Sequence, residues 1–310
     1  MSHEYRYLNT LIDEAVRGTQ TVLAVVFPCD ALALHASLDV AARGLARVVL
    51  VGPSGRIAAV ADEGGLDVSA TEIVDTPDDP LAAAQAAASL VTTGRAQLLM
   101  KGSLHTEELM SVLVSREAGL RTTRRISHAF VFDMPGVDHP LMLTDCVVNI
   151  EPDLLVKRDI VQNAIDLAQS LGIARPRVGI LSATESVNPA IRGTVDAAAL
   201  CKMAERGQIT GGELDGPLAF DNAISAESAR IKKIASPVAG SPDILLVPNL
   251  ETGNTLYKSF VYLGHAQCAG LVLGTRVPVV LTSRADSEFS RLASVALGVL
   301  FARKPHAVAA

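Results

Sequence analysis

The feature that most limits how this chain folds is a set of short, unbroken apolar runs, each followed by a segment of helical spacing. Thr21–Phe27 (TVLAVVF), Arg47–Val51 (RVVLV), Arg177–Leu181 (RVGIL) and Asp243–Val247 (DILLV) are the clearest. Unbroken runs, rather than alternating ones, mean strands covered on both faces, and that is how a parallel sheet is built. Thr71–Val74, Ala96–Met100, Leu141–Val148, Gly270–Gly274 and Pro278–Leu281 add further strands. Helical spacing over Ala31–Gly44, Pro80–Thr93, Thr106–Glu117, Leu154–Leu171, Asn188–Arg206, Asn254–Leu263 and Glu288–Ala302 fills the gaps. Leu218–Ala223, with Gly216-Pro217 just before it, is a further apolar segment. The alternation predicts an α/β fold made of two doubly wound lobes around a cleft.

Two lobes also follow from size. A chain of 310 residues exceeds what one core usually holds. Pro135-Gly136 and His139-Pro140 interrupt the pattern and place a lobe boundary near 140. Hydrophobic residues at 49% supply the core, and the low charged fraction of 19% argues against disorder. A net charge of −6 excludes a general phosphate-backbone binder, so no nucleic acid partner is expected. It leaves room for a local basic pocket. The cysteines Cys29, Cys146, Cys201 and Cys268 are far apart, with no C-x-x-C pair. That spacing suits neither zinc nor a disulfide framework, so no metal and a reducing cytoplasm are expected. No run of about 18 uncharged apolar residues is present, so no membrane span is expected, and the polar N-terminus lacks signal-peptide character.

In open parallel sheets, ligands collect outside the carboxyl ends of the strands. Three polar clusters stand there. The first is Thr282-Ser283-Arg284-Ala285-Asp286-Ser287-Glu288 after Pro278–Leu281. Arg284 can hold phosphate with two parallel hydrogen bonds, and the helix starting near Ser287 offers free N–H groups. Asp286 or Glu288 supplies a carboxylate that could serve as base. A capping box, Ser283-x-x-Asp286, explains the same residues structurally. The second is Lys101-Gly102-Ser103-Leu104-His105-Thr106. Gly102 admits close backbone approach, and Lys101, Ser103 and Thr106 are potential phosphate donors. The competing explanation is a Thr106 N-cap with His105 on the surface. The third is Asn249-Leu250-Glu251-Thr252-Gly253-Asn254, with Asn254 and Lys258 four apart on one helix face. Strand-to-helix turn chemistry, with Asn or Thr as cap, is the alternative there. Together the three suggest a substrate carrying phosphate groups.

These stretches resemble the phosphate acetyltransferase/phosphate butyryltransferase family, nearly end to end. The matching segments are KGSLHT (101–106), RRISHAFVFDMPG (124–136), GELDGPLAFDNAIS (212–225), SPVAGSPDILLVPNLETGNTLYK (236–258) and PVVLTSRADS (278–287). The resemblance implies acyl transfer between coenzyme A and orthophosphate, with CoA a substrate and no tightly bound cofactor. It implies a fold similar to isocitrate and isopropylmalate dehydrogenases. It also implies a discontinuous first lobe, 1–140 with 271–310, around a second lobe, 141–270, and a homodimer. On this likeness Ser283 and Arg284 sit at the active site with an acid shortly after, here Asp286 or Glu288. Lys101, Gly102, Ser103, Thr106, Thr252, Gly253, Asn254 and Lys258 are the expected substrate-binding residues.

The chain departs from the acetyltransferase branch in two places. Ala285-Asp286-Ser287-Glu288 replaces a Gly-x-Ser type loop, and an arginine of the helix after Asn254 is absent near Val261 and Tyr262. Both departures lean towards butyryl transfer and leave the acyl preference open. Two other functions compete: a CoA- or acyl-phosphate-binding module without turnover, and a metal- and NAD-dependent dehydrogenase of similar fold. The second would need an aspartate cluster for a divalent cation, and no convincing set is present.

Overall fold

The computed structural model describes residues 5–18, 20–281 and 286–304. It divides into two compact units. The first comprises Leu8–Arg124 and Ala269–Ala310, the second Met1–Tyr7 and Arg125–Cys268.

The chain opens with α1 (Arg6–Val16), whose Leu8, Leu11 and Ala15 are buried. It continues through β1 (Val22–Val26), α2 (Ala31–Ala42), β2 (Arg47–Gly52), α3 (Ser54–Gly64), β3 (Glu72–Asp75), α4 (Pro80–Thr92), β4 (Leu98–Lys101) and α5 (Thr106–Val114). In the second unit come β5 (Ser127–Asp133), β6 (Leu141–Thr144), α6 (Leu154–Ser170), β7 (Arg177–Leu181), α7 (Arg192–Glu205), β8 (Glu213–Leu218), α8 (Phe220–Ile224), α9 (Ala226–Ile231), β9 (Ile244–Leu246) and α10 (Leu250–Tyr262). β10 (Gln267–Leu273), β11 (Val279–Val280) and α11 (Glu288–Ala302) complete the chain.

The first unit's strands run in the order β3-β2-β1-β4-β11-β10. All neighbouring pairs are parallel except β10 with β11. The order reverses direction between β1 and β4, and at such a switch point ligands bind outside the carboxyl ends of the strands. The second unit's order is β5-β6-β9-β7-β8, parallel except for β5 with β6. The core strands are buried along their length, as unbroken apolar runs require. Side-chain caps begin several helices. Asp30 accepts from Ala33 N at 2.7 Å, Asp153 from Val156 N at 2.9 Å, and Asp79 precedes Pro80 at the start of α4.

Several expectations are corrected. Segment 125–140 belongs with the later residues rather than with the first lobe, because β5 pairs antiparallel with β6. Leu218–Ala223 is not one element: β8 ends at Leu218 and α8 begins at Phe220. α5 stops at Val114, three residues before Glu117.

Candidate active site

The β4–α5 junction stands at the switch point of the first unit. Gly102 N and Ser103 N donate to the carbonyls of Val26 and Phe27, both at 2.9 Å, extending the β1–β4 pairing past the strand ends. A Cβ on Gly102 would lie 2.4 Å from Val26 O and 2.6 Å from Phe27 O. No side chain fits there, so glycine is required by the neighbouring strand end. The Ser103 hydroxyl donates to Phe27 O at 2.7 Å and accepts from Cys29 N at 2.8 Å. It locks the β1 exit, where Phe27 holds a positive φ of 55°. Lys101 Nζ donates to the carbonyls of Gly102 at 3.1 Å and Leu104 at 3.0 Å, so the cation is anchored over its own loop. Thr106 is not the N-cap. α5 begins at Thr106, His105 takes the cap position, and Glu108 Oε2 accepts from His105 N at 2.7 Å.

At the third cluster the helix begins four residues earlier than its spacing predicts. α10 starts at Leu250 because Asn249 Oδ1 accepts from Thr252 N at 3.0 Å and from Thr252 Oγ1 at 2.8 Å. Thr252, Gly253 and Asn254 therefore form its first turn and are not a loop before it. The missed signal is that Asn249, and not Asn254, is the capping residue. Gly253 lies against the C-terminal end of β6: a Cβ there would meet Asp145 O at 2.7 Å and Cys146 Cα at 3.0 Å. Asn254 Nδ2 donates to Cys146 O at 3.4 Å. Lys258 is exposed, and its ammonium has no partner among the described residues.

Beneath α10 lies a buried polar network that sequence reasoning did not single out. Asp145 Oδ1 accepts from Val147 N at 2.9 Å and Val148 N at 3.0 Å, and Oδ2 accepts from Asn149 Nδ2 at 2.6 Å. The backbone N–H of His128 also donates to this carboxyl. Burial pushes the Asp145 pKa up from its usual range, and these donors hold it back. His128 is fully buried with Nδ1 unpartnered, and burial lowers its pKa to about 3, so the ring is neutral. The sequence holds a faint sign of the network in Thr144-Asp145 and Asn149, polar residues that follow an apolar run.

Ser283 and Arg284 of the first cluster lie outside the described residues. Asp286 is half-buried, and its carbonyl accepts from Arg291 Nη2 at 2.6 Å. The cap of α11 is Ser287, whose Oγ accepts from Ser290 N at 3.1 Å, so the Ser283-x-x-Asp286 capping box does not begin this helix. Glu288 is exposed and 3.7 Å from Arg43.

Among the described residues no group of three or more His, Cys, Asp or Glu is placed to hold a metal ion, and no helix is long and apolar enough to cross a membrane. Burial pushes the Cys29 thiol up to about 11 and Cys201 up to about 12, so neither is a ready thiolate near neutral pH.

The mixed α/β architecture is that of the phosphotransacylases. A branched-chain phosphotransacylase from Enterococcus faecalis V583 superposes with a TM-score of 0.80 at 31% identity, over 92% of this chain and 99% of that one. A 4-hydroxythreonine-4-phosphate dehydrogenase from Klebsiella pneumoniae, at 12% identity and a TM-score of 0.51, extends the likeness to the isocitrate dehydrogenase-like fold. The family profile "Phosphate acetyl/butaryl transferase" matches residues 81–299. The chain belongs to this phosphate acetyl/butyryl transferase family and is an acyltransferase. Among similar proteins, a phosphate acetyltransferase of Rhizobium meliloti is 56% identical over 96% of this chain and 94% of its own. A phosphate butyryltransferase of Clostridium acetobutylicum is 42% identical over 95% and 97%.

Proposed function

We propose that this chain transfers an acetyl group between coenzyme A and orthophosphate, acetyl-CoA plus phosphate giving acetyl phosphate plus free CoA, reversibly. The observation that carries the acetyl preference is the 56% identity, across nearly the whole of both chains, to a phosphate acetyltransferase. CoA enters and leaves as a substrate. A homodimer and a cytoplasmic setting are proposed on family membership alone.

A thiolate and a phosphate dianion repel each other, so the reaction needs cations and aligned donors. Arg284 holds the phosphoryl oxygens, with the N–H groups at the start of α11 beside it in sequence. Lys101, fixed over its own loop, adds positive charge at the end of β4. Ser283 donates to the carbonyl oxygen as charge develops there. Asp286 takes the CoA thiol proton, and Asn254 and Lys258 contribute a donor and a cation to substrate binding. Holding the two reactants in line supplies the orientation advantage. Gly102, Ser103, Thr106, Thr252 and Gly253 serve mainly by shaping the strand-to-helix turns.

The test is arsenolysis. The purified protein is incubated with acetyl-, propionyl- and butyryl-CoA, with and without arsenate, and free thiol is followed. Arsenate-dependent release, fastest with acetyl-CoA, is the expected result. Fastest release from butyryl-CoA overturns the acetyl preference, and failure of arsenate to stimulate release from any of the three overturns the reaction. Arg284→Ala is expected to lose activity by about 10²–10³-fold with an unchanged melting temperature, in line with removal of one preorganised donor.

A further inference from the structure

The geometry points to Asp145 as a positioning residue for the acyl transfer, acting through the first turn of α10. This rests on the reading of Asn254 and Lys258 as substrate-binding residues. Asp145 touches none of the expected site side chains directly. Its carboxyl gathers Val147 N, Val148 N and Asn149 Nδ2, bending the chain after β6 into a closed turn. Asn149 Nδ2 also donates to Ile126 O at 2.9 Å, and Thr144 Oγ1 to His128 O at 2.9 Å, tying that turn to the start of β5.

The turn is the seat of α10. Gly253 rests on Asp145 O and Cys146 Cα with no space for a Cβ. Asn254 reaches Cys146 O, Leu250 N donates to Ile150 O at 3.0 Å, and Asn249 Nδ2 donates to Glu151 Oε1 at 3.2 Å. One turn further on, Tyr257 stacks on Phe130 with centroids 4.2 Å apart, and Phe260 meets Phe132 edge-on at 5.2 Å. The aromatic contacts hold the middle of the helix. Where its first turn begins, and so where Asn254 and Lys258 point, is set by the 145–151 turn. A buried carboxylate accepting from several N–H groups holds such a turn rigidly, because each donor loses its partner if the turn opens.

The experiment is a double-mutant cycle with Asp145→Asn and Asn254→Ala, read as arsenolysis kcat/KM per folded molecule. It is paired with amide exchange across residues 250–256 and across β7 and β9. The amide of Asp145→Asn still offers an acceptor to the Val147 and Val148 N–H groups but sets an NH₂ against the Asn149 NH₂. The expected loss is about 10-fold or more, since a displacement on the order of 1 Å can cost about 100-fold. Exchange is expected to quicken over 250–256 and to stay unchanged in β7 and β9, whereas a merely structural role loosens all three. The double variant is expected to lose clearly less than the product of the two single losses, because both changes act through the placement of Asn254 and only the displacement of Lys258 is added. Multiplied losses, or Asp145→Asn at full activity, overturn the proposal and leave the site reading standing. Asn254→Ala at full activity removes the site reading, and the proposal with it. If Asp145→Asn fails to fold, Asn149→Ala, which removes a donor to the Asp145 carboxyl and leaves the carboxyl in place, takes its place in the cycle with the same expected outcomes.

Discussion

The β4–α5 and β9–α10 junctions follow one plan in sequence: an apolar strand, a short polar segment with a glycine, then a helix. They differ in what the polar residues do. At the first, Gly102 and Ser103 are taken up by the backbone of β1, one by absence of a side chain and the other by a hydroxyl bonded on both sides. At the second, the cap Asn249 and Gly253 carry the scaffold, and Lys258 is left exposed with no partner among the described residues. The comparison teaches that a polar residue at a strand's carboxyl end is not thereby a ligand contact. Lys258 is left to a substrate outright, whereas Lys101 and Asn254 already bond local carbonyls and meet a substrate only with the donors that remain.

The glycines should show the largest effects. Gly102→Ala would press a Cβ onto two carbonyl oxygens of the adjoining strand, which cannot recede without breaking the pairing that follows. A cost of about 3 kcal/mol is expected, at the upper end for overpacking. Gly253→Ala meets one carbonyl, the Cys146 Cα at 3.0 Å and the more yielding Val247 side chain. It also gains up to about 1 kcal/mol in helix propensity, so a net loss of about 1–2 kcal/mol is expected. Urea unfolding of the two variants orders them, and the reverse order would break the comparison.

Ser103→Ala and Lys258→Ala separate scaffold from contact at smaller cost. Removing the Ser103 hydroxyl deletes two hydrogen bonds at the β1 exit and leaves Cys29 N with Phe27 O alone, at 2.9 Å, for about 1–2 kcal/mol. The kcat/KM of the folded fraction should fall only a few-fold, on the order of 1 kcal/mol of lost transition-state binding. Lys258→Ala should leave stability within about 0.5 kcal/mol, as for an ordinary surface change. It should lower kcat/KM for phosphate or CoA by roughly 10-fold, the loss of one charge-assisted contact. Thermal melts alongside arsenolysis kinetics check both. Equal activity losses in the two variants would erase the distinction drawn between the junctions.

The strand runs were legible in the sequence because a strand buried on both faces leaves an uninterrupted apolar signature, as in Val22–Val26 and Ile244–Leu246. The strand-to-helix clusters were legible too, because topology concentrates polar residues at those ends. Helix starts were not. Asn249 and Asn254 are the same residue type five positions apart, and only the contact of Gly253 with the β6 exit decides which one caps. The lobe boundary was hidden for a similar reason. Pro135-Gly136 looks like a break between lobes, yet it is a turn between the paired strands β5 and β6. The buried network of His128, Asp145 and Asn149 was invisible because its residues are spread over 22 positions and only packing unites them.

That network also gives the β9–α10 junction an acid sensitivity that the hydroxyl and backbone bonds of the β4–α5 junction do not have. His128 is neutral in the fold, with a pKa near 3, against an unfolded value of about 6.5. Below that unfolded value the open chain binds a proton the native state refuses. Stability therefore falls as pH drops from about 6.5 towards 3, by at most about 1.4 kcal/mol per unit. Asp145 acts with the opposite sign: its raised carboxyl lets the native state take up a proton before the unfolded chain does, which offsets part of the loss at the acid end. The readout is therefore the difference between the native chain and His128→Phe, in which the titrating ring is gone and the contact with Phe130 at 4.4 Å is kept by another aromatic. At pH 7 and above the pH dependence of the two chains should run parallel. Between about pH 6 and 4 the native chain should lose stability faster, with the gap widening by roughly 1 kcal/mol per unit. Parallel melting curves through that range would mean that His128 reaches water or a partner when protonated, and that the seat of α10 is looser than its hydrogen bonds imply.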